Sequence, residues 1–597
     1  MSVLVSLCTL LFAFLLWRAV RPQPSAKSSV LAGVRGPKKE HWLTGNFRRI
    51  FKDGLQYNLA LFKEYGGVIK VHGILGAEQL LVHDPLALQQ ILVRDQESFE
   101  ETDMFIDTNR LLFGEGLIAT LGEQHKKQRK LLNPVFSLAN LRAVLPRIQP
   151  IANELTARLQ AELPQDGGFK EVDVLPWLRK GTLEYVGRGI LGVNLDSLDP
   201  AKANAFTSAI CNVQHVALKV FFLRPFVPWA VRNLSPYWGN KLVEWLPFPA
   251  LRELREISHV LQRSARDIFL AKKAEVEETG ADEESSTDLM SIMLRANSST
   301  QEKSRLSNEE LIGQINTFML GGQETTTSAL ARLLHVLAQE QEAQERLRSE
   351  IREAKLAHAT MEGKSDTSDW QRVSLPYDVL IGLPYLDAVV RETLRLYPPT
   401  SMMNRTTTKD TILHLQYPVH SAMTGLETSA VHVPAGTNVI VSILGANRSK
   451  RVWGPDASVW RPERWLAQAP AGERVDTSVA GRGVDLEFGD ESVGEGSGME
   501  VRYPGVYGSM MTFFGGSRAC IGFKFAEMEI KQVLATLLST MHFALPSATD
   551  AAGNRKEIYW RMDGLQVPVV LPPHGDATTA QVPLDIRVIA PSVADKA

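Results

Sequence analysis

Apolar positions along this chain recur mostly at helical spacing, three and four residues apart, and alternate at spacing two only in short runs. The clearest helical stripe is Ile530, Val533, Leu534, Leu537, Leu538 and Met541. A second opens at Ser307-Asn308-Glu309-Glu310, where a Ser N-cap with Glu three residues on makes a capping box, and runs through Ile315, Phe318, Met319, Leu330 and Leu333. A third helix around Leu386–Tyr397 is stopped by Pro398-Pro399. Shorter helical patterns cover Leu55–Tyr65 and the stretch from Gly122 to the breaker Asn133-Pro134. Val68–Ile74, Gln79–Val82 and Leu565–Leu571 read as strands, and Val431–Pro434 with Thr437–Ser442 reads as a hairpin about Ala435-Gly436. The pattern predicts a mainly α protein with a minor β region.

Six segments depart from this pattern. Val3–Trp17 is almost wholly apolar and is followed by Arg18, Arg21 and Lys27. Positive charge after the apolar core favours a membrane signal-anchor with a cytosolic body over a cleaved signal peptide. Residues 1–20 are read as that anchor helix and 21–40, rich in Pro and Ser, as a linker. Residues 205–250 concentrate aromatics and prolines, among them Phe221, Phe222, Trp229, Trp238, Trp245 and Phe248. They either pack into the core or form an apolar lid on a membrane surface. Residues 274–308 are charged and polar and read as a surface loop. Residues 467–503 form an acidic Gly-rich insertion, and 573–597 a weakly structured tail.

Composition narrows the class. With 44 % hydrophobic and 22 % charged residues, the 597-residue chain can build a large core. A net charge of −2 gives no reason to expect nucleic acid as a partner. Cys8, Cys211 and Cys520 are too far apart for a zinc cluster, and three cysteines fit a reducing compartment better than a disulfide framework. Asn233, Asn297, Asn404 and Asn447 begin Asn-x-Ser/Thr sequences, which a cytosolic body leaves unmodified. The chain carries no G-x-G-x-x-G fingerprint after a strand. Any chemistry here that draws electrons from a nicotinamide would need a separate protein to bring them.

The candidate chemistry centres on Phe513-Phe514-Gly515-Gly516-Ser517-Arg518-Ala519-Cys520-Ile521-Gly522. Glycines there let backbone approach a flat ligand, and a cysteine ahead of a helix start lies where free N–H groups favour thiolate. Taken alone, an isolated cysteine on a turn is more often an inert buried thiol. Gly321-Gly322-Gln323-Glu324-Thr325-Thr326 places two glycines inside a helix, each costing about 1 kcal/mol relative to Ala, with an acid and a hydroxyl beside them. It reads either as a helix that stops and restarts or as one locally opened against a ligand. His125 and Arg129 share one helix face, otherwise an ordinary solvated basic face. Glu392 and Arg395 are an i, i+3 pair, worth a few tenths of a kcal/mol if exposed.

The loop F-x-x-G-x-R-x-C-x-G resembles the haem-binding loop of the cytochrome P450 (haem-thiolate monooxygenase) family, and the motif style resembles its microsomal, fungal members. The resemblance covers roughly residues 36–571 and implies the P450 fold, a single haem-thiolate domain over 41–572. It implies haem b as cofactor, with Cys520 as axial iron ligand and Phe513, Gly516 and Gly522 in the binding loop. Arg129, Arg405, Arg518 and His125, the last where the family usually has tryptophan, would face the haem propionates. Glu324 and Thr325 match the acid–alcohol pair that relays protons to bound O2. Glu392, Arg395 and Arg464 match a buried structural triad, with Trp465 in place of the usual phenylalanine. Implied partners are an NADPH-cytochrome P450 reductase, with cytochrome b5 as an additional donor, O2, a lipophilic small molecule such as a terpenoid or sterol, and the endoplasmic reticulum membrane. Two alternatives stay open: a haem-thiolate isomerase or dehydratase needing no reductase, and a non-catalytic haem sensor.

Overall fold

A computed structural model describes residues 31–589, apart from 53, 203, 280–287, 302–303, 364–368 and 467–501. The body is built around one long helix, Asn308–Gln339, whose start is the expected capping box: Ser307 Oγ accepts from Glu310 N and Glu310 Oε2 accepts from Ser307 N. Ile315, Met319, Leu330 and Leu333 on it are at most 1 % exposed, each worth about 1.5–3 kcal/mol of burial. It packs on Leu175–Glu184, on Pro249–Thr279 and on Phe523–Thr540, the helix after the cysteine loop. Phe523–Thr540 in turn packs on Leu138–Ala161, and one apolar cluster joins all of them. The helix over Gly122–Leu132 is also present as expected, passing into a tight turn at Asn133-Pro134. The expectation of a helix opened at Gly321-Gly322 is corrected: Asn308–Gln339 is helical throughout.

The β region lies mostly beside the first third of the chain. Its largest sheet has the order Val68–His72, Glu78–Val82, Asn438–Ser442, Met402–Thr407, Phe99–Glu100. This corrects the expected hairpin. Asn438–Ser442 is buried along nearly its whole length, so it takes a central place, parallel to Glu78–Val82 and antiparallel to Met402–Thr407. Glu427–Val433, more exposed and alternating, pairs instead with Thr411–His420 in a separate ribbon. Leu565–Val570 is the strand expected near the end, and it pairs with Ile558–Asp563, which the sequence reading did not single out.

Two further expectations fail. Pro583–Val588, inside the stretch expected to be a weakly structured tail, is the central strand of a sheet between Met541–Ala544 and Lys170–Asp173, with Val582, Leu584 and Ile586 fully buried. Residues 274–308 are not one surface loop. Pro249–Thr279 extends into them, and Leu289–Ser299 buries Leu289, Met290 and Met293 in the main core. Of the aromatic segment, Ala205–Lys219 packs inward, whereas Phe221, Phe222, Tyr237, Trp238 and Trp245 are exposed. Among the described residues no single helix is long and apolar enough to cross a membrane, and the expected anchor, like most of the expected insertion, lies outside them.

Candidate active site

Backbone geometry shapes the cysteine loop before any side chain does. The strand Met510–Gly515 pairs with Gly505–Tyr507 and delivers the chain into a turn over Gly516–Arg518. Gly516 has φ +68, and a Cβ there would lie 1.8 Å from the Leu92 carbonyl oxygen, so only glycine lets the loop pass this close. Phe514 just before it is also left-handed, at φ 63. Cys520 N–H then donates back to the Phe513 carbonyl at 2.8 Å, and Gly522 serves as N-cap of Phe523–Thr540. Phe513 packs edge-on against Tyr507 and tilted against Phe523, holding the loop to the helix it precedes.

Cys520 keeps accessible surface although surrounded by protein, so its thiol fronts a confined space. Burial pushes that thiol up, and the Gly522 N–H and the Arg129 charge only partly oppose it. This corrects the expectation that the helix start alone favours thiolate; a bound cation would reverse the balance, because ligation itself removes the proton. Arg129 donates from Nη1 to the Ala519 carbonyl at 2.6 Å, which fixes it against the loop next to the cysteine.

Beside the loop, a cleft is lined by His125, Arg405, Arg518, Gly515, Ser517 and Leu92. Arg518 donates to the Thr120 carbonyl at 2.9 Å and lies 3.7 Å from Glu100. Arg405, 2 % exposed, pairs with Glu101 at 2.7 Å, while its Nη2 is buried with no hydrogen-bond partner among the described residues. His125 is held down to about 3, first by burial and then by Arg518, Arg129 and Arg405, so its ring is neutral at physiological pH. The structure thus brings His125, Arg405 and Arg518 to one cleft and sets Arg129 at the loop carbonyl instead. Glu100 and Glu101 were missed in the sequence, since nothing local ties them to arginines roughly three hundred and four hundred residues on.

On the long helix, Thr325 donates from Oγ1 to the Gly321 carbonyl at 2.6 Å. Gly321 is exposed although Met319 and Gln323 on either side are fully buried, and a Cβ built on it would meet no described residue within 4 Å. The same addition at Gly322 would meet Val186 at 2.6 Å. The two glycines therefore differ: Gly322 admits a neighbouring helix, and Gly321 leaves bare backbone against open space. Glu324 points elsewhere, 3.5 Å from Arg179 of Leu175–Glu184, and no hydrogen bond joins it to Thr325 among the described residues. Arg179 was not singled out in the sequence.

Glu392, Arg395 and Arg464 lie together in the structure. Glu392 accepts from Arg395 Nε at 2.9 Å and Nη2 at 2.7 Å, and Arg464 Nε lies 3.4 Å away. Trp465 Nε1, at the position where the sequence departs from the familiar phenylalanine, donates to the same carboxylate at 2.9 Å.

These features together fit a flat, metal-bearing dianion. A thiol fronts a confined space, a helix bares its backbone at Gly321, and a buried guanidinium nitrogen of Arg405 lacks a partner among the described residues. The family pattern described as Cytochrome P450 matches residues 34–558. Cytochrome P450 monooxygenase 91 of Postia placenta is 37 % identical over 551 residues, covering 91 % of this chain and 92 % of that protein. Cytochrome P450 monooxygenase 81 of the same organism is 36 % identical over 568 residues, covering 94 % and 93 %. A ganoderic acid synthetase of Ganoderma lucidum is 33 % identical over 537 residues, covering 88 % of each chain.

Proposed function

This chain belongs to the cytochrome P450 family, and from that premise we propose that it is a membrane-anchored monooxygenase acting on a lipophilic, terpenoid- or sterol-like substrate. The family uses haem b, with electrons from NAD(P)H through a reductase. The observation that carries the site assignment is Cys520, a thiol fronting a confined space on a glycine-shaped loop that Arg129 braces. Haem bound through a Cys520 thiolate supplies reductive O2 activation: one oxygen atom enters a C–H bond or alkene, the other leaves as water, and two electrons and two protons are consumed. The chain's own residues bind and orient. Arg405 and Arg518 offer donors to the propionates, and neutral His125 adds a ring N–H without adding charge.

Thr325 carries the hydroxyl nearest the bare Gly321 backbone and holds a proton at Oγ1, donated to the Gly321 carbonyl. Glu324 is held toward Arg179, so its part in proton delivery calls for a side-chain rotation away from that arginine. Glu392, Arg395 and Arg464 act structurally, below the loop. The exposed rings of Phe221, Phe222, Trp238 and Trp245 support contact with a membrane, and the apolar Val3–Trp17 run supports anchoring in the endoplasmic reticulum. The basic face carrying Lys127 and Lys130 suits an acidic reductase, with cytochrome b5 as an additional donor. The resemblance to a ganoderic acid synthetase favours secondary-metabolite tailoring. The test is co-expression with a reductase in a host fed candidate terpenoids and sterols, with products sought by mass spectrometry. A product heavier by one oxygen that requires the reductase supports the reading. Turnover without any electron donor would place the chain among isomerases or dehydratases instead.

A further inference from the structure

Glu101 stands out because it places a buried carboxylate where a dianion's carboxylates are expected to bind. Its position is fixed from both sides. Phe99 and Glu100 pair with Thr407 and Thr406, and continuing that antiparallel register sets Glu101 across from Arg405. Immediately after it, Thr102 caps the helix Asp103–Phe113, its Oγ1 accepting from Phe105 N. The side chains of Glu101 and Arg405 are 5 % and 2 % exposed and meet at 2.7 Å through Arg405 Nη1. The same Nη1 donates to the Asn404 carbonyl at 2.7 Å, and the guanidinium lies over the Phe514 ring, 4.9 Å from its centroid.

A guanidinium is a rigid planar fork. With Nη1 fixed by Glu101 and Asn404 and the plane set by Phe514, the direction of the other arm is determined. That arm, Nη2, is the buried nitrogen without a partner among the described residues, and Arg405 lines the cleft together with Arg518 and His125.

Resting on the haem assignment above, we propose that Glu101 is a positioning residue for the cofactor's carboxylate edge, acting through Arg405: it takes Nη1 and thereby aims Nη2 at a propionate. Arg405 then serves two carboxylates at once, one from the protein and one from the cofactor. Holding the donor in place before binding removes an ordering cost that a free arginine would meet when the haem binds.

The experiment measures the rate of haem transfer from the ferric holoenzyme to excess apomyoglobin. Glu101→Ala is expected to release haem about tenfold faster, and Glu101→Gln, which keeps an acceptor for Nη1, to stay within about threefold of the parent. Arg405→Ala is also expected to speed release, and adding Glu101→Ala to it should give no further increase, because the two act through one contact. A parental release rate in Glu101→Ala overturns the proposal, as do effects of the two substitutions that multiply in the double variant. If Glu101→Ala does not load haem, Glu101→Asp decides: withdrawing the acceptor by one methylene should speed release about threefold, and an unchanged rate overturns the proposal. A merely structural Glu101 would lower the melting temperature of the haem-free protein and leave the release rate alone. Failure of the haem-thiolate reading is distinguishable, because the parent protein itself would then lack the thiolate-type carbon-monoxide spectrum.

Discussion

Replacing Glu392 by Gln tests whether the buried charges beneath the cysteine loop are structural or reactive. The carboxylate, 0 % exposed, accepts from Arg395 twice, from Trp465 Nε1 and from Arg461 N, with Arg464 close by. Arg464 also has Asp456 at 2.9 Å, so it keeps an anion in the variant. Arg395 does not: among the described residues its remaining acceptors are the carbonyls of Asn447 and Ala457, at 2.7 Å each, and of Val459 at 3.5 Å. Gln also turns an NH2 toward groups that are all donors. An uncompensated buried charge costs about 3–5 kcal/mol, against a total stability of about 5–15 kcal/mol. The damage has a route to the loop. Asn447 Nδ2 donates to Thr512 Oγ1 at 2.8 Å and Asn447 Oδ1 accepts from Met511 N at 2.7 Å, both on the strand that leads into the turn before Cys520. Thermal unfolding followed by haem absorbance and by tryptophan fluorescence should show a clearly lowered midpoint and incomplete haem loading, while the loaded fraction keeps most of its turnover rate. A parental midpoint with abolished turnover would refute this reasoning and make Glu392 a reacting group.

Other substitutions test separate parts of the site. Thr325→Ala removes the hydroxyl beside the bare Gly321 backbone and should cut the ratio of product to NADPH consumed by about tenfold or more; unchanged coupling would remove Thr325 from proton handling. Gly516→Ala combines a left-handed backbone with a Cβ 1.8 Å from the Leu92 carbonyl, at a cost of about 1–3 kcal/mol from overlap alone, so haem per protein should fall sharply; full loading would contradict the loop geometry. His335 accepts from Trp560 Nε1 at 2.9 Å and is held down to about 3 by burial and then by Arg332. Its folded pKa lies below the unfolded value of about 6.5, so its contribution is complete above that pH and is lost as pH falls toward 3, by up to about 1.4 kcal/mol per pH unit. His335→Gln should flatten the fall of the unfolding midpoint between about pH 6.5 and 4, and an unchanged slope would contradict the assignment.

What could be read from sequence was local. The capping box at Ser307, the stop at Pro398-Pro399 and the Gly516–Cys520 turn each depend on residues within a few positions of one another, and the structure has them as expected. Pairing across the fold was less legible. Asn438–Ser442 looked like half of a hairpin because Pro434–Thr437 is a good turn, but its partner Glu78–Val82 lies far back in the chain. Pro583–Val588 follows a run of turn residues and carries Asp585 and Arg587, so its burial depends on Met541–Ala544 and Lys170–Asp173 as partners. The same limit hid Glu101 and Arg179, whose importance comes only from what packs against them. The Glu324-Thr325 motif predicted two side chains working together, yet successive helix positions point about 100° apart, and here they face different neighbours.

Ligation of a haem iron by Cys520 is tested by the absorption spectrum of the purified protein after reduction and exposure to carbon monoxide. Thiolate ligation by Cys520 gives a strongly red-shifted Soret band, lost in Cys520→Ser. A band typical of histidine ligation in the parent, or one that survives Cys520→Ser unchanged, would contradict it.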